Sequence, residues 1–149
     1  YGKIHLLDNP EMQKKMLAGR SISGEYEWSD GSVKLGYTGS YELDFLKLLD
    51  LRLKWKSSDI MAPSPHVFEY EYKGSMHFYM PDFYVPSLQL NVEIKDGGEA
   101  LNINPDSRAK DVIKDELMRS NGNIFNYIRI DGKDYGEFLK LLNIDGQYI

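Results

Sequence analysis

The stretch Met80–Gly97, MPDFYVPSLQLNVEIKDG, places an acid at the start of one strand and an acid–lysine pair on the next. Strand side chains alternate from face to face, so Glu93 and Lys95, two residues apart, project from one side. Gln89, Asn91, Glu93 and Lys95 form a polar row, and Leu88, Leu90, Val92 and Ile94 an apolar row on the opposite face. Pro86-Ser87 reads as a turn that folds the strand Leu88 to Lys95 back beside Asp82. Two carboxylates and one ammonium then converge at one end of a sheet.

An isolated Glu-x-Lys on a strand is ordinarily a solvated surface pair. The companion Pro81-Asp82 and an acid on the preceding helix give it a chemical use. Phosphodiester hydrolysis suits a hard divalent cation, and Mg²⁺ takes oxygen ligands, commonly one or two carboxylates together with substrate phosphate and water. A lysine beside such a site can orient the nucleophile and offset developing negative charge.

The helix is YELDFLKLLDLRLKW, Tyr41–Trp55, in which Phe45, Leu46, Leu49 and Leu53 share a face. Glu42 falls on that same face, at the N-terminal end. Asp44, Lys47 and Asp50 are expected on a different, solvated side. A carboxylate on a buried face needs a cation or lysine partner, or it is a first-turn acid favoured by the helix dipole. Gly36-Tyr37-Thr38-Gly39-Ser40 reads as a breaker ahead of this helix.

Downstream, Val67–Tyr72 alternates as a strand and Lys73-Gly74-Ser75 turns it into Met76–Met80. With Leu88–Lys95 these predict a three-stranded antiparallel meander. Asp96-Gly97-Gly98 releases the chain. Asn104-Pro105-Asp106 starts a helix that Ser120-Asn121-Gly122 stops, with Ala109, Val112, Ile113 and Leu117 as its buried face. Lys110 borders that face and Lys114 lies further round; both could be presented to phosphate. Ile124–Ile130 is apolar on both faces, as a central strand is. Asp134 to Asn143 closes with a helix turning Phe138, Leu141 and Leu142 inward, and the tail Gly146–Ile149 carries no signal.

Residues 1–35 read as an N-terminal arm. Asp8-Asn9-Pro10 starts a helix carrying Met12, Met16 and Leu17 at helical spacing, and Gly19 ends it. Ser23–Trp28 reads as a short extended segment and Ser29–Ser32 as a turn. The arm either packs against the core or contacts DNA or a second subunit, through Lys14, Lys15, Arg20, Lys34 and Trp28.

The absence of cysteine excludes a disulfide framework and a thiolate metal site, in keeping with a reducing cytosol. No apolar run is long enough to span a bilayer. His5, His66 and His77 include no pair at metal-ligand spacing. The opening YGKIHLLDNP resembles neither a signal peptide nor a start-methionine terminus, which suggests a piece of a longer protein. The formal net charge of −5 runs against the basic surplus usual in a nucleic-acid binder. A cation-binding acid cluster, local basic patches or a basic domain elsewhere would account for it.

The order helix, three strands, helix, strand, helix, with Pro81-Asp82 and Glu93-Ile94-Lys95 joined by strand-turn-strand, resembles the PD-(D/E)XK nuclease superfamily. Within it, the phrasing is similar to phage-type junction-resolving and homing endonucleases. The likeness covers roughly Gly36 to Asn143 by order of elements. It implies an α/β (α+β mixed sheet) fold, a restriction-endonuclease-like αβββαβ core with an N-terminal arm (1–35) and a C-terminal helix in a catalytic domain of residues 36–149. It further implies a divalent-metal-dependent DNA endonuclease of phage or bacterial origin, acting in the cytoplasm of a bacterial or phage-infected cell, with Mg²⁺ as metal and Mn²⁺ as a substitute. Asp82, Glu93, the Ile94 carbonyl and Glu42 would be the metal ligands, and Lys95 would position or activate the attacking water. DNA is the expected partner, with Lys110, Lys114, Lys14, Lys15 and Arg20 as candidate contacts. Cutting both strands suggests a homodimer or two sequential nicks, and a further DNA-binding domain would lie outside this chain. The rival readings are a non-catalytic DNA- or protein-binding module on a nuclease-like fold, and a hydrolase of small phosphate esters.

Overall fold

The computed structural model describes residues 3–96, 104–121 and 126–143. The expected Gly97-Gly98 loop, the Gly122 helix stop, the start of the last strand at Ile124-Phe125 and the Gly146–Ile149 tail lie outside the described residues. What is described is a mixed α+β fold of four α-helices and three small sheets.

The first segment supplies β1 (Ile4–Leu7), α1 (Pro10–Gly19), β2 (Gly24–Glu27) and β3 (Lys34–Tyr37). The Asn9 side chain accepts from the backbone N–H groups of Glu11 and Met12 and Pro10 needs no N–H there, so α1 starts where the sequence predicts. β2 and β3 form an antiparallel hairpin of their own. The hairpin takes Gly36 and Tyr37 into a strand, correcting the breaker reading, and α2 (Gly39–Lys47) begins directly after Thr38.

β4 (Val67–Tyr72) and β5 (Ser75–Tyr79) make the expected hairpin. Its two-residue turn needs positive φ at both positions, and Lys73 (φ 50) and Gly74 (φ 76) provide it. β1 pairs antiparallel with the far side of β4, giving the order β1-β4-β5. Next come β6 (Phe83–Val85) and β7 (Leu90–Lys95), joined by a 3₁₀ turn at Pro86–Leu88 where the sequence placed a turn. β7 starts at Leu90, two residues later than expected. The three-stranded meander does not form: β5 and β6 lie in different sheets. Met80-Pro81-Asp82 interrupts the ladder between them, and the backbone at Pro81 serves instead as acceptor for Ser64. β6 pairs antiparallel with β7, and β7 pairs in parallel with β8 (Asn126–Asp131), giving the order β6-β7-β8. The middle strand is therefore β7; β8, expected to be central, lies at the edge of this sheet among the described residues.

Two clusters hold these layers together. Phe45, Leu46 and Leu49 from α2 and the following turn pack on Phe83, Val85, Val92, Ile128 and Ile130, with Phe138 of α4 (Gly136–Leu141) closing the end. A second cluster joins Ile4, Phe68, Tyr70 and Tyr79 to Leu117 and Met118 of α3 (Pro105–Ser120). The Asn104 side chain caps α3 as predicted, accepting from Asp106 and Ser107. Leu117 is buried and Ala109 and Ile113 pack beside it as expected, but Val112 is exposed and Met118 is fully buried. The partner of α3 is the aromatic β4–β5 surface, which favours Leu117 and Met118 at its end. In α4, likewise, Leu139 is buried beside Phe138 while Leu141 is exposed, and the helix is shorter than expected.

β7 has buried residues on both faces. Leu90, Val92 and Ile94 join the first cluster, while Asn91 and Glu93 are buried on the other side. The polar row is thus internal; Ser64 Oγ donates to Asn91 Oδ1 at 2.6 Å.

Asp50 corrects the sequence reading most clearly. Expected on a solvated side, it is 3 % exposed. α2 continues into a π turn over Leu48–Arg52, and Asp50 faces the β2–β3 hairpin. Its carboxylate accepts from the Tyr26 hydroxyl (2.6 Å), the Ser29 N–H (2.9 Å) and the Ser29 hydroxyl (2.7 Å). Burial and this carboxylate push the Tyr26 phenol up to about 12, so it stays a donor. Trp28, one of the expected arm contacts, is buried and donates its indole N–H to the Trp55 carbonyl.

Asp50→Ala leaves the Tyr26 hydroxyl and the Ser29 N–H without their acceptor. It should destabilise the protein by about 2–4 kcal/mol. Urea unfolding followed by Trp fluorescence checks this; an unchanged midpoint would show that the hairpin is not anchored through Asp50.

Candidate active site

Glu42 is carried on the first turn of α2, whose apolar face turns it inward to 7 % exposure. Its Oε1 accepts from the Thr38 backbone N–H at 3.1 Å. Asp82 immediately precedes β6. The β6–β7 register pairs Phe83 with Val92, so one further step sets Asp82 opposite Glu93. Asp82 Oδ2 accepts from the Ile94 backbone N–H at 2.9 Å, which fixes the carboxylate against β7. Glu93 and Lys95 project from the same side, with Lys95 Nζ 3.1 Å from Glu93 Oε2.

Three further charged groups complete the cluster. Arg20, just after α1, sets one guanidinium nitrogen 3.3 Å from Glu42 Oε1 and 3.5 Å from Asp82 Oδ1. Asp111 of α3 lies 3.1 Å from Lys95 Nζ, and the same oxygen is 3.2 Å from Lys114 Nζ. Sequence reasoning missed Asp111, since no spacing along the chain links α3 to β7. It placed Arg20 among phosphate contacts, and nothing local points that side chain at Glu42 or Asp82.

The acids crowd one another. Burial raises the Asp82 carboxyl well above its ordinary range, and the charges of Glu93 and Glu42 push the same way against the Ile94 N–H and Arg20. Burial also raises Glu42, although the Thr38 N–H and Arg20 oppose it. Lys95 moves upward: burial works against its charge, but Glu93 and Asp111 more than offset that. It is held as an ammonium. Asp111 stays low despite burial, because Lys95 and Lys114 flank it.

Glu93 Oε1 and the Tyr79 hydroxyl are both buried without a well-formed hydrogen bond, and the phenol interacts with the Glu93 carboxylate. Burial, followed by the Glu93 charge, keeps that phenol protonated. A buried carboxylate oxygen without a well-formed hydrogen bond is rare and calls for a cation or a donor. As the side chains stand, no three acidic or histidine groups among the described residues are gathered closely enough to ligate one ion. Arg20 lies against Glu42 and Asp82 while Lys95 holds the other Glu93 oxygen. The donor chemistry, three carboxylates with one oxygen poorly satisfied, nevertheless fits a hard divalent cation.

The other candidate contacts are dispersed. Lys14 and Lys15 are exposed on α1. Lys110 pairs with Asp106 and lies over the Tyr72 ring. Lys114 lies over the Tyr79 ring, 4.9 Å from its centroid, facing the cluster more directly than its expected position implied. Of the histidines, His66 approaches Asn91 and His77 stacks on Tyr70, so both have structural partners. No protein-family model, no curated protein and no solved structure matches this chain.

Because the Asp82 carboxyl is raised in the folded state, the stability it contributes is present at low pH and lost as pH rises through the raised value. Asp82→Asn should therefore raise the Tm of the metal-free protein at about pH 8, by about 2–5 °C. The gain should shrink as pH falls towards and below about 4, where an unfolded carboxyl becomes protonated as well. Calorimetry in chelator across that range checks the sign; a lowered Tm at the alkaline end would show that Asp82 is fully compensated by Arg20 and Ile94.

Proposed function

We propose that this chain is a divalent-metal-dependent DNA endonuclease of the PD-(D/E)XK type, with a restriction-endonuclease-like core formed by α2, the strands β4 to β7, α3 and β8. The observation that carries the reading is the β6–β7 crossing. It sets Asp82 opposite Glu93, puts Lys95 on the Glu93 side, and leaves a buried Glu93 oxygen without a well-formed hydrogen bond. Asp82, Glu93, the Ile94 carbonyl and Glu42 would hold Mg²⁺, with Mn²⁺ able to substitute. When bound, the metal supplies Lewis-acid stabilisation of the phosphoryl oxygens and a more acidic water.

The chain's own groups divide the remaining work. Lys95, paired with Glu93 and Asp111, would position or activate the attacking water and offset developing charge. The Ile94 N–H fixes the direction of the Asp82 carboxylate. Glu42, from a different element, assists at the metal. DNA is the substrate proposed, with the exposed Lys14 and Lys15 as candidate backbone contacts. Lys110 and Lys114 are further candidates, on the α3 surface beside the cluster.

The cations already paired with Glu42, Asp82 and Glu93 favour the rival reading of a binding module that performs no chemistry. A gel assay on plasmid, branched DNA, single strands and RNA, with and without Mg²⁺, separates the two. Metal-dependent DNA cleavage is expected from the wild type. Asp82→Ala, Glu93→Ala and Lys95→Ala should each lower it by roughly 10²–10³-fold with folding retained, and Glu42→Gln by roughly tenfold. Undiminished cutting by the Glu93 variant would end the assignment.

A further inference from the structure

Arg20 is the cluster's one cation from outside α2, α3 and the strands, and its guanidinium touches the acids that the proposed function gives to the metal. Among the described contacts the acids Glu42, Asp82, Glu93 and Asp111 outnumber the cations Arg20, Lys95 and Lys114. We propose that Arg20 is a resident counter-ion of this site: its guanidinium and a divalent cation are alternative occupants of the Glu42–Asp82 pair, so that cation loading expels the Arg20 side chain.

Three observations support the exchange. The contacts are long for charge-assisted hydrogen bonds, 3.3 and 3.5 Å through a single nitrogen, so the guanidinium fills the place without its paired, fork-like geometry. The backbone around it is tied down: the Arg20 N–H donates to the Leu17 carbonyl, the Ser21 carbonyl accepts from the Thr38 hydroxyl, and the Ser23 N–H donates to the Tyr37 carbonyl. Expulsion is therefore a side-chain movement and not an unfolding of the arm. The side chain also has somewhere to go, since Arg20 itself lines a groove of about 350 Å³ together with Lys15, Met16, Gly19, Phe78 and Met80. There it would stand near Lys15, a cationic pair suited to a phosphate oxygen.

The inference rests on the metal reading above, and the test keeps the two apart. Mn²⁺ binding to the full chain is titrated by electron paramagnetic resonance of the free ion, for the wild type, Arg20→Gln, Arg20→Lys and Asp82→Asn. Removing the competitor should tighten Mn²⁺ binding by roughly five- to tenfold in Arg20→Gln, with Arg20→Lys between it and the wild type. Asp82→Asn should weaken binding strongly. Unchanged or weaker binding by Arg20→Gln, with Asp82→Asn still defective, overturns the exchange and leaves the metal site standing. Equal binding by wild type and Asp82→Asn overturns the metal site and the exchange together. Should Arg20→Gln not fold, the wild type decides. With arginine labelled in ¹⁵N, added Mg²⁺ should shift the Arg20 side-chain Nε–H resonance and speed its exchange with solvent, and an unmoved resonance overturns the proposal.

Discussion

Charge buried between two apolar clusters is the constraint around which this molecule is arranged. Glu93 is on the middle strand of its sheet with hydrophobic packing on both sides, and Asp82 is set against it by a backbone hydrogen bond. Desolvated like charges disfavour ionisation, and the fold answers with three cations, one from the same strand and two from other elements. Arg20 arrives from the end of α1, Lys95 from the end of β7 and Lys114 from α3. Such an arrangement adds little net stability over an apolar core.

The architecture follows from the needs of β7. A strand buried on both faces requires a layer on each, and the chain provides α2 on one side and the β4–β5 hairpin with α3 on the other. The first segment does more than pack. β1 extends the hairpin sheet, the β2–β3 hairpin is held by Asp50, and Arg20 enters the acid cluster.

Much of this was legible in the residues themselves. Alternation in NVEIK and the turn at Pro86-Ser87 located the acid pair, because a two-residue period and a proline-initiated turn are local properties. Helical spacing put Glu42 inward for the same reason, and the Asn9-Pro10 and Asn104-Pro105 caps marked two helix starts. What was not legible depends on neighbours distant in the chain. Asp50 looked solvated because the hairpin that covers it is more than twenty residues away and a π turn intervenes. Val112 and Leu141 keep apolar periodicity yet face water, because the tertiary partners of their helices cover neighbouring positions instead. Asp111 and Arg20 meet the site only through tertiary packing.

The pairing of β1 along β4 has one more implication. Four residue pairs from Ile4↔Tyr70 to Leu7↔Val67 occupy the outer rim of that sheet. A chain shortened to begin at Gly36 would lay bare a row of peptide groups next to Phe68 and Tyr70, an adhesive margin that readily recruits a strand from another molecule. Self-association, fibrils or strand exchange would then be the expected fate of the shortened protein, whatever became of its chemistry.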